Sequence, residues 1–349
     1  MALPLARMHL VPRAGCQFVQ PLMNFLAMRT LILSVLLTVI AATACAQRER
    51  AEEPGVTSRM ALTVGSLERH YLLHVPSKPS GALLLAFHGG GESAPNLERV
   101  TGLSALSDRE GFFVAYPEGY ERSWADGRGT TRADRTGLDD VAFARAIVAD
   151  VARTRSVDMR RVFATGPSNG GLMVGRLACD AADLFAGVAP VIATLAPAIA
   201  NRCRPAASIS VIGIQGVADP VLPFGGGGVG GTLEGSAAGG NILAGRVAQD
   251  LFRGLDGCAP TPSVTELRAQ VPDSTSVTRR EYTGCRDGTI VVWYEIAGGG
   301  HRWPPSLAGR VLERSVRRKL GVSSQNIDAT AVIWSELSAH PRATPPASR

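Results

Sequence analysis

Between Arg161 and Cys179 the chain reads RVFATGPSNGGLMVGRLAC, and this stretch holds the residues best placed to do chemistry. Val162, Phe163 and Ala164 are an apolar run of buried-strand type. Gly166-Pro167-Ser168-Asn169-Gly170 fits G-x-S-x-G, and Leu172, Met173, Arg176 and Leu177 then begin a helical spacing. Strand, tight turn and helix together are the context of a nucleophile elbow, where a serine hydroxyl is lifted above a sheet. The flanking glycines leave room for strained backbone angles at the serine, and the following N–H is placed where an oxyanion would develop. A five-residue pattern also occurs by chance, as a glycine-rich turn in an ordinary α/β sheet. What decides between the two is whether the chain supplies a base, an acid and a second oxyanion donor.

A serine nucleophile needs an imidazole to take its proton and a carboxylate to orient that imidazole. In α/β hydrolases the order along the chain is serine, acid, histidine, with the last two on loops after late strands. Only His301 and His340 follow Ser168. His340 lies beyond the last predicted helix, whereas His301 follows a strand and three glycines at once. Asp219 comes shortly after the apolar run Ile209–Gln215, while Asp250 and Asp256 fall on or beside a helix and Asp273 and Asp287 in turns. Ser168, Asp219 and His301 are therefore the predicted catalytic set. His88-Gly89-Gly90-Gly91, following the run GALLLAF, offers the second oxyanion element, so Gly89, Gly90 and Asn169 are the predicted donors. His88 precedes the serine, fits no triad order of this fold, and reads as structural. Trp124, in the polar loop SWADGR, and Trp303 are expected to touch substrate; a loop anchor is the alternative for Trp124. Asp139 and Asp140 suit a helix N-terminus better than a cation site. No metal and no cofactor is expected.

Positioning such a site calls for alternating strands and helices. A hairpin is predicted from Met60 to Pro76 about Gly65, then buried strands at Gly81–Phe87, Phe112–Tyr116, Phe185–Ile192 and Ile209–Gln215. Further strands are predicted at Val277–Tyr282 and Thr289–Ile296, and helices at Asn96–Ser107, after Asp140, at Asn241–Leu255 and from Ile327 to Leu337. Residues 225–240 are glycine-rich and read as a mobile loop. The pattern describes one doubly wound, mostly parallel α/β domain over residues 59–341, of α/β-hydrolase type.

The 349 residues carry a formal charge of +6, with 45% hydrophobic residues, which suits one large domain. Lys78 and Lys319 are the lysines; arginine supplies the rest of the positive charge and is scattered, so a nucleic-acid partner is not expected. Thr30–Ala42 is an apolar run of about a dozen residues, short for a membrane span and suited to a signal-peptide core. Residues 1–46 are thus read as a signal peptide, with Met28 as an alternative start, 47–58 as a flexible tether and 342–349 as a disordered tail. Cleavage after Ala46 gives a secreted or periplasmic protein; the alternative is a lipoprotein box with Cys45 acylated, the one case in which a membrane is a partner. Export leaves Cys179, Cys203, Cys258 and Cys285 to form two disulfides, with three connectivities possible and sequential pairing favoured.

These residues together resemble the secreted poly(3-hydroxybutyrate) depolymerase-like and feruloyl esterase family of α/β hydrolases. The resemblance rests on YLLHVP, FHGGGES, VAYPEGYERSWADGR, the long stretch ending in SNGGLM, LAC, GVADPVLPFGGG and GGGHRWP, nearly the whole mature chain. It implies cofactor-independent ester hydrolysis with Ser168, Asp219 and His301 as triad. Gln215 stands where the family commonly has histidine, and Pro167 where a small or aliphatic residue is usual. No substrate-binding module is appended, which favours feruloylated or acetylated oligosaccharides over insoluble polymer. A polyhydroxybutyrate depolymerase is the alternative, a peptidase of the same fold a third, and a catalytically silent carbohydrate-binding scaffold the alternative from another class.

Overall fold

Leu83, Leu85 and Phe87 pack into one apolar cluster and Ala82, Leu84 and Ala86 into another, so this short strand is covered on both faces. That arrangement recurs through the centre of the computed structural model, which describes residues 55–230, 239–305 and 317–343. These residues fall within one compact unit. In chain order the elements are β1 (Val56–Val64), β2 (Leu67–Val75), β3 (Leu83–Ala86), α1 (Ala94–Thr101), α2 (Leu103–Glu110), β4 (Phe113–Pro117), α3 (Arg132–Arg135), α4 (Asp140–Thr154), β5 (Val162–Pro167) and α5 (Ser168–Asp180). There follow β6 (Gly187–Val191), α6 (Pro197–Arg202), β7 (Ser210–Gly216), β8 (Gly227–Gly228), β9 (Asn241–Ile242), α7 (Gly245–Leu255), β10 (Ser263–Leu267), β11 (Ser276–Tyr282), β12 (Val291–Ala297) and α8 (Ala329–Ala339).

Ten strands form one sheet in the order β1-β2-β4-β3-β5-β6-β7-β12-β11-β10. From β4 to β12 the neighbours are parallel; the two hairpin strands at one end and β11–β10 at the other run antiparallel. This is the α/β-hydrolase fold. Parallel strands must be buried on both faces because their connections lay helices over them. Phe143, Ile147, Val148 and Val151 of α4, with Met173 and Leu177 of α5, cover one face. Leu97, Leu103, Leu106, Ile333, Trp334 and Leu337 cover the other, where Phe112 stacks on Trp334 with ring centroids 3.7 Å apart.

The predicted hairpin turns at Gly65, which takes φ +61°. Differences from expectation are local. The helix expected over Asn96–Ser107 is two helices, broken where Gly102 enters the left-handed region at φ +67°. Asn241–Ile242 pairs with Gly227–Gly228, so the helix expected from Asn241 begins at Gly245. The ends of the glycine-rich stretch thus form a small ribbon, while 231–238 lie outside the described residues. Strand β1 begins at Val56, inside the expected tether, and Arg342, placed in the expected tail, donates hydrogen bonds to the carbonyls of Ala182 and Phe185. The signal segment and Cys45 also lie outside the described residues. Among those described, no helix is long and apolar enough to cross a membrane. Disulfides join Cys179 to Cys203 and Cys258 to Cys285, the sequential pairing. Asp256 stands beside Cys258 and Cys285 in a metal-like grouping, but both sulfurs belong to that bridge.

Candidate active site

The elbow is built by close approach. Ser168 sits at φ +56°, a left-handed angle that costs a non-glycine residue energy and is worth a functional reading. A Cβ on Gly170 would come within 2.1 Å of the Phe87 carbonyl oxygen and 2.5 Å of that of His88, so only glycine lets α5 start hard against the end of β3. The turn thereby delivers Ser168 beside the Gly89 loop: a Cβ placed on Gly89 would lie 3.7 Å from Ser168 Cβ.

Two further loops converge from the carboxyl ends of β7 and β12, which are paired in parallel. The Ala218 N–H donates to Gly299 O at 2.9 Å, locking the two loops together. Asp219 Oδ1 accepts from the N–H groups of Val221 and Leu222 at 2.8 and 2.9 Å, leaving Oδ2 for the histidine. His301 is set by its own N–H donating to Leu320 O at 2.6 Å, after Gly300 N–H has donated to Val322 O. His301 Nδ1 lies 2.7 Å from Asp219 Oδ2, and His301 Nε2 lies 2.8 Å from Ser168 Oγ. A carboxylate only accepts, so the imidazole proton sits on Nδ1 and Nε2 accepts from the serine hydroxyl. Ser168, Asp219 and His301 are each less than one-tenth exposed. The arrangement can carry the serine proton to His301 as Oγ attacks an electrophile.

The Gly89–Gly91 loop, from which oxyanion donors are expected, is anchored. Buried His88 receives the Gly119 N–H on Nε2 at 2.9 Å and donates from Nδ1 to Gly89 O at 2.8 Å, which leaves it neutral. Its burial pushes the imidazole pKa down to about 4. Gly91 N–H donates to Arg122 O at 2.8 Å, and Glu121 and Arg122 both take positive φ (+45° and +59°) to present that carbonyl.

Trp124 does not line a cleft and takes the alternative expected for it, a loop anchor. It is fully buried, its Nε1–H donates to His88 O at 2.7 Å, and its ring packs on His88 and Phe87. The loop around it is bolted in place: Ala125 N–H donates to Asp140 Oδ2, and Arg176 Nη1 donates to Ala125 O. Asp140 begins α4 as expected, yet its carboxylate also pairs with Arg69 at 2.9 Å, while Asp139 caps the helix through Ala142 N–H. Trp303 is 9% exposed, with Nε1–H donating to Thr330 Oγ1 at 3.1 Å, so most of its surface serves packing. Sequence reasoning assigned nothing to Asp126, Arg128 or the Asn169 side chain, which the fold brings together under the elbow. An acid and a base two residues apart in a glycine-rich loop were the signal available.

Fold and site thus define a hydrolase of the α/β class. No protein-family model matches the chain. It is 33% identical over 272 residues to NocK of Nocardia uniformis subsp. tsuyamanensis, provisionally named an esterase, covering 71% of this chain and 74% of that protein. It is 30% identical over 276 residues to feruloyl esterase C of Emericella nidulans, covering 75% of this chain and 88% of that one. The solved structure of native sOPH overlays with a TM-score of 0.50 at 17% identity, over 85% of this chain and 91% of that chain, a likeness of fold. The chain belongs to the feruloyl esterase-like family of α/β hydrolases and is a carboxylic ester hydrolase.

Proposed function

We propose that this protein is a secreted serine esterase that cleaves feruloyl- or acetyl-type esters of plant polysaccharide through an acyl-enzyme. The observation that carries the serine mechanism is the continuous line from Ser168 Oγ to His301 at 2.8 Å and on to Asp219 at 2.7 Å, with the serine at φ +56°. His301 Nε2 takes the hydroxyl proton as Oγ attacks the ester carbonyl, and Asp219 steadies the imidazolium. N–H groups of Asn169 and of Gly89 or Gly90 receive the negative charge that gathers on the carbonyl oxygen. His301 then returns the proton to the leaving alcohol, and water, deprotonated by the same imidazole, releases the acid. The feruloyl esterases among the relatives support the substrate class. The two disulfides support an oxidising compartment.

The test uses p-nitrophenyl acetate, methyl ferulate and amorphous polyhydroxybutyrate with wild type and Ser168→Ala. Hydrolysis of the acetate and the ferulate, reduced on the order of 10⁴-fold or more in the variant, is expected. Release of 3-hydroxybutyrate without ferulate would move the assignment to a polyester depolymerase. Undiminished hydrolysis by Ser168→Ala would remove the serine mechanism.

A further inference from the structure

An ion pair that the ester chemistry above does not use lies buried against the elbow. Asp126 is fully buried and the Arg128 side chain is 1% exposed, with Nη2 and Oδ2 2.8 Å apart. Arg128 Nε also reaches both oxygens of the same carboxylate, at 2.9 and 3.2 Å. Two charges taken out of water commonly cost as much as their attraction returns, so stability alone is a weak reason for such a pair.

Its neighbours suggest another. Asp126 Oδ2 accepts from Asn169 Nδ2 at 2.6 Å. The rest of the Asn169 amide is clamped to the backbone of Trp124, with Oδ1 accepting from its N–H at 2.9 Å and Nδ2 donating to its carbonyl at 3.3 Å. On the other side, Arg128 Nη1 donates to Gly239 O at 2.8 Å. From there backbone bonds continue: Val229 N–H to Gly240 O, Gly230 N–H to Val221 O, and Val221 N–H to Asp219 Oδ1. The pair therefore stands between the residue after the nucleophile and the turn that holds the acid.

We propose that Asp126 and Arg128 are positioning residues that fix Asn169, so that its backbone N–H stays aimed at the developing oxyanion, and that tie this donor to the Asp219 turn. The inference rests on the serine-esterase reading. An oxyanion donor is effective because it need not reorganise as charge appears. A charge-assisted bond from Asn169 to a carboxylate, itself held on a rigid guanidinium fork, restrains that residue more tightly than a neutral acceptor does.

The experiment compares wild type, Asp126→Asn, Arg128→Lys and Ser168→Ala of the full chain, each well below its own Tm. Arg279→Gln, which breaks the Arg279–Glu336 pair between β11 and α8, serves as control. Read out are kcat and KM for p-nitrophenyl acetate, and the affinity for phenylboronic acid, whose serine adduct carries a negatively charged tetrahedral centre. Asp126→Asn is expected to lose about tenfold or more in kcat and in boronate affinity together, with KM within about threefold. Arg128→Lys, whose ammonium cannot serve carboxylate and carbonyl as a fork does, loses less in the same two quantities, and also carries the comparison if Asp126→Asn fails to fold. The control keeps wild-type kcat. Wild-type kcat and boronate affinity in both variants, with only Tm lowered, would overturn the proposal and leave a structural ion pair. Activity surviving in Ser168→Ala would instead sink the reading beneath it.

Discussion

At the scale of single residues, burial sets what each histidine can do. His301 and His88 both lie in the core of the site, but His88 has both ring nitrogens committed to the backbone of Gly89 and Gly119. With its pKa down to about 4 against 6.5 unperturbed, the unfolded chain binds a proton there that the folded chain refuses. Stability from this ring is complete above pH 6.5 and is lost as pH falls toward 4, a swing of roughly 3 kcal/mol at most. Unfolding free energy should therefore fall more steeply in wild type than in His88→Gln between about pH 7.5 and pH 4.5. Equal slopes would show that His88 is not the group responsible. The candidate triad, whose side chains the fold brings within hydrogen-bonding distance, was legible because chain order and the strand–glycine context narrow six histidines to one. Trp124 was not, because its partners His88 and Asn169 are 36 and 45 residues away and no local pattern announces them.

At the scale of elements, apolar runs announced the buried strands, and Gly65 announced the hairpin. Strand β10 escaped notice because it is an edge strand with its first four residues exposed, so it carries no hydrophobic alternation to read. The break between α1 and α2 was equally quiet, since Gly102 lies inside an otherwise continuous helical spacing. A third element, the turn at Glu121–Arg122, is visible only in backbone angles. Both residues sit in the left-handed region that a hairpin turn of this hand requires, and asparagine occupies its first position with less strain than glutamate. Glu121→Asn is expected to raise stability by about 0.5–1 kcal/mol, its exposed pairing with Arg132 being worth little. A lowered denaturation midpoint would show that the turn draws more from that pairing than from its angles.

At the scale of the whole molecule, the Cys258–Cys285 disulfide lies away from the candidate triad. Cys285 follows β11, whose last residue pairs with the first residue of β12, the end opposite the His301 loop. Replacing Cys258 and Cys285 together by alanine should cost about 3–4 kcal/mol of stability, given the chain the bridge closes, while kcat at low temperature stays near wild type. A large loss of kcat at full folding would mean that the bridge reaches the site. The triad itself is spread more widely: Ser168 and His301 are 133 residues apart, and β12, which brings the histidine, docks beside β7, two places across the sheet from the serine strand. A chain folded only as far as β6 would thus hold its elbow, its Gly89–Gly91 loop and its anchored tryptophan loop, yet lack both Asp219 and His301. Under the proposed mechanism such a partial chain is inert, so turnover would report that the parallel part of the sheet is complete through β12.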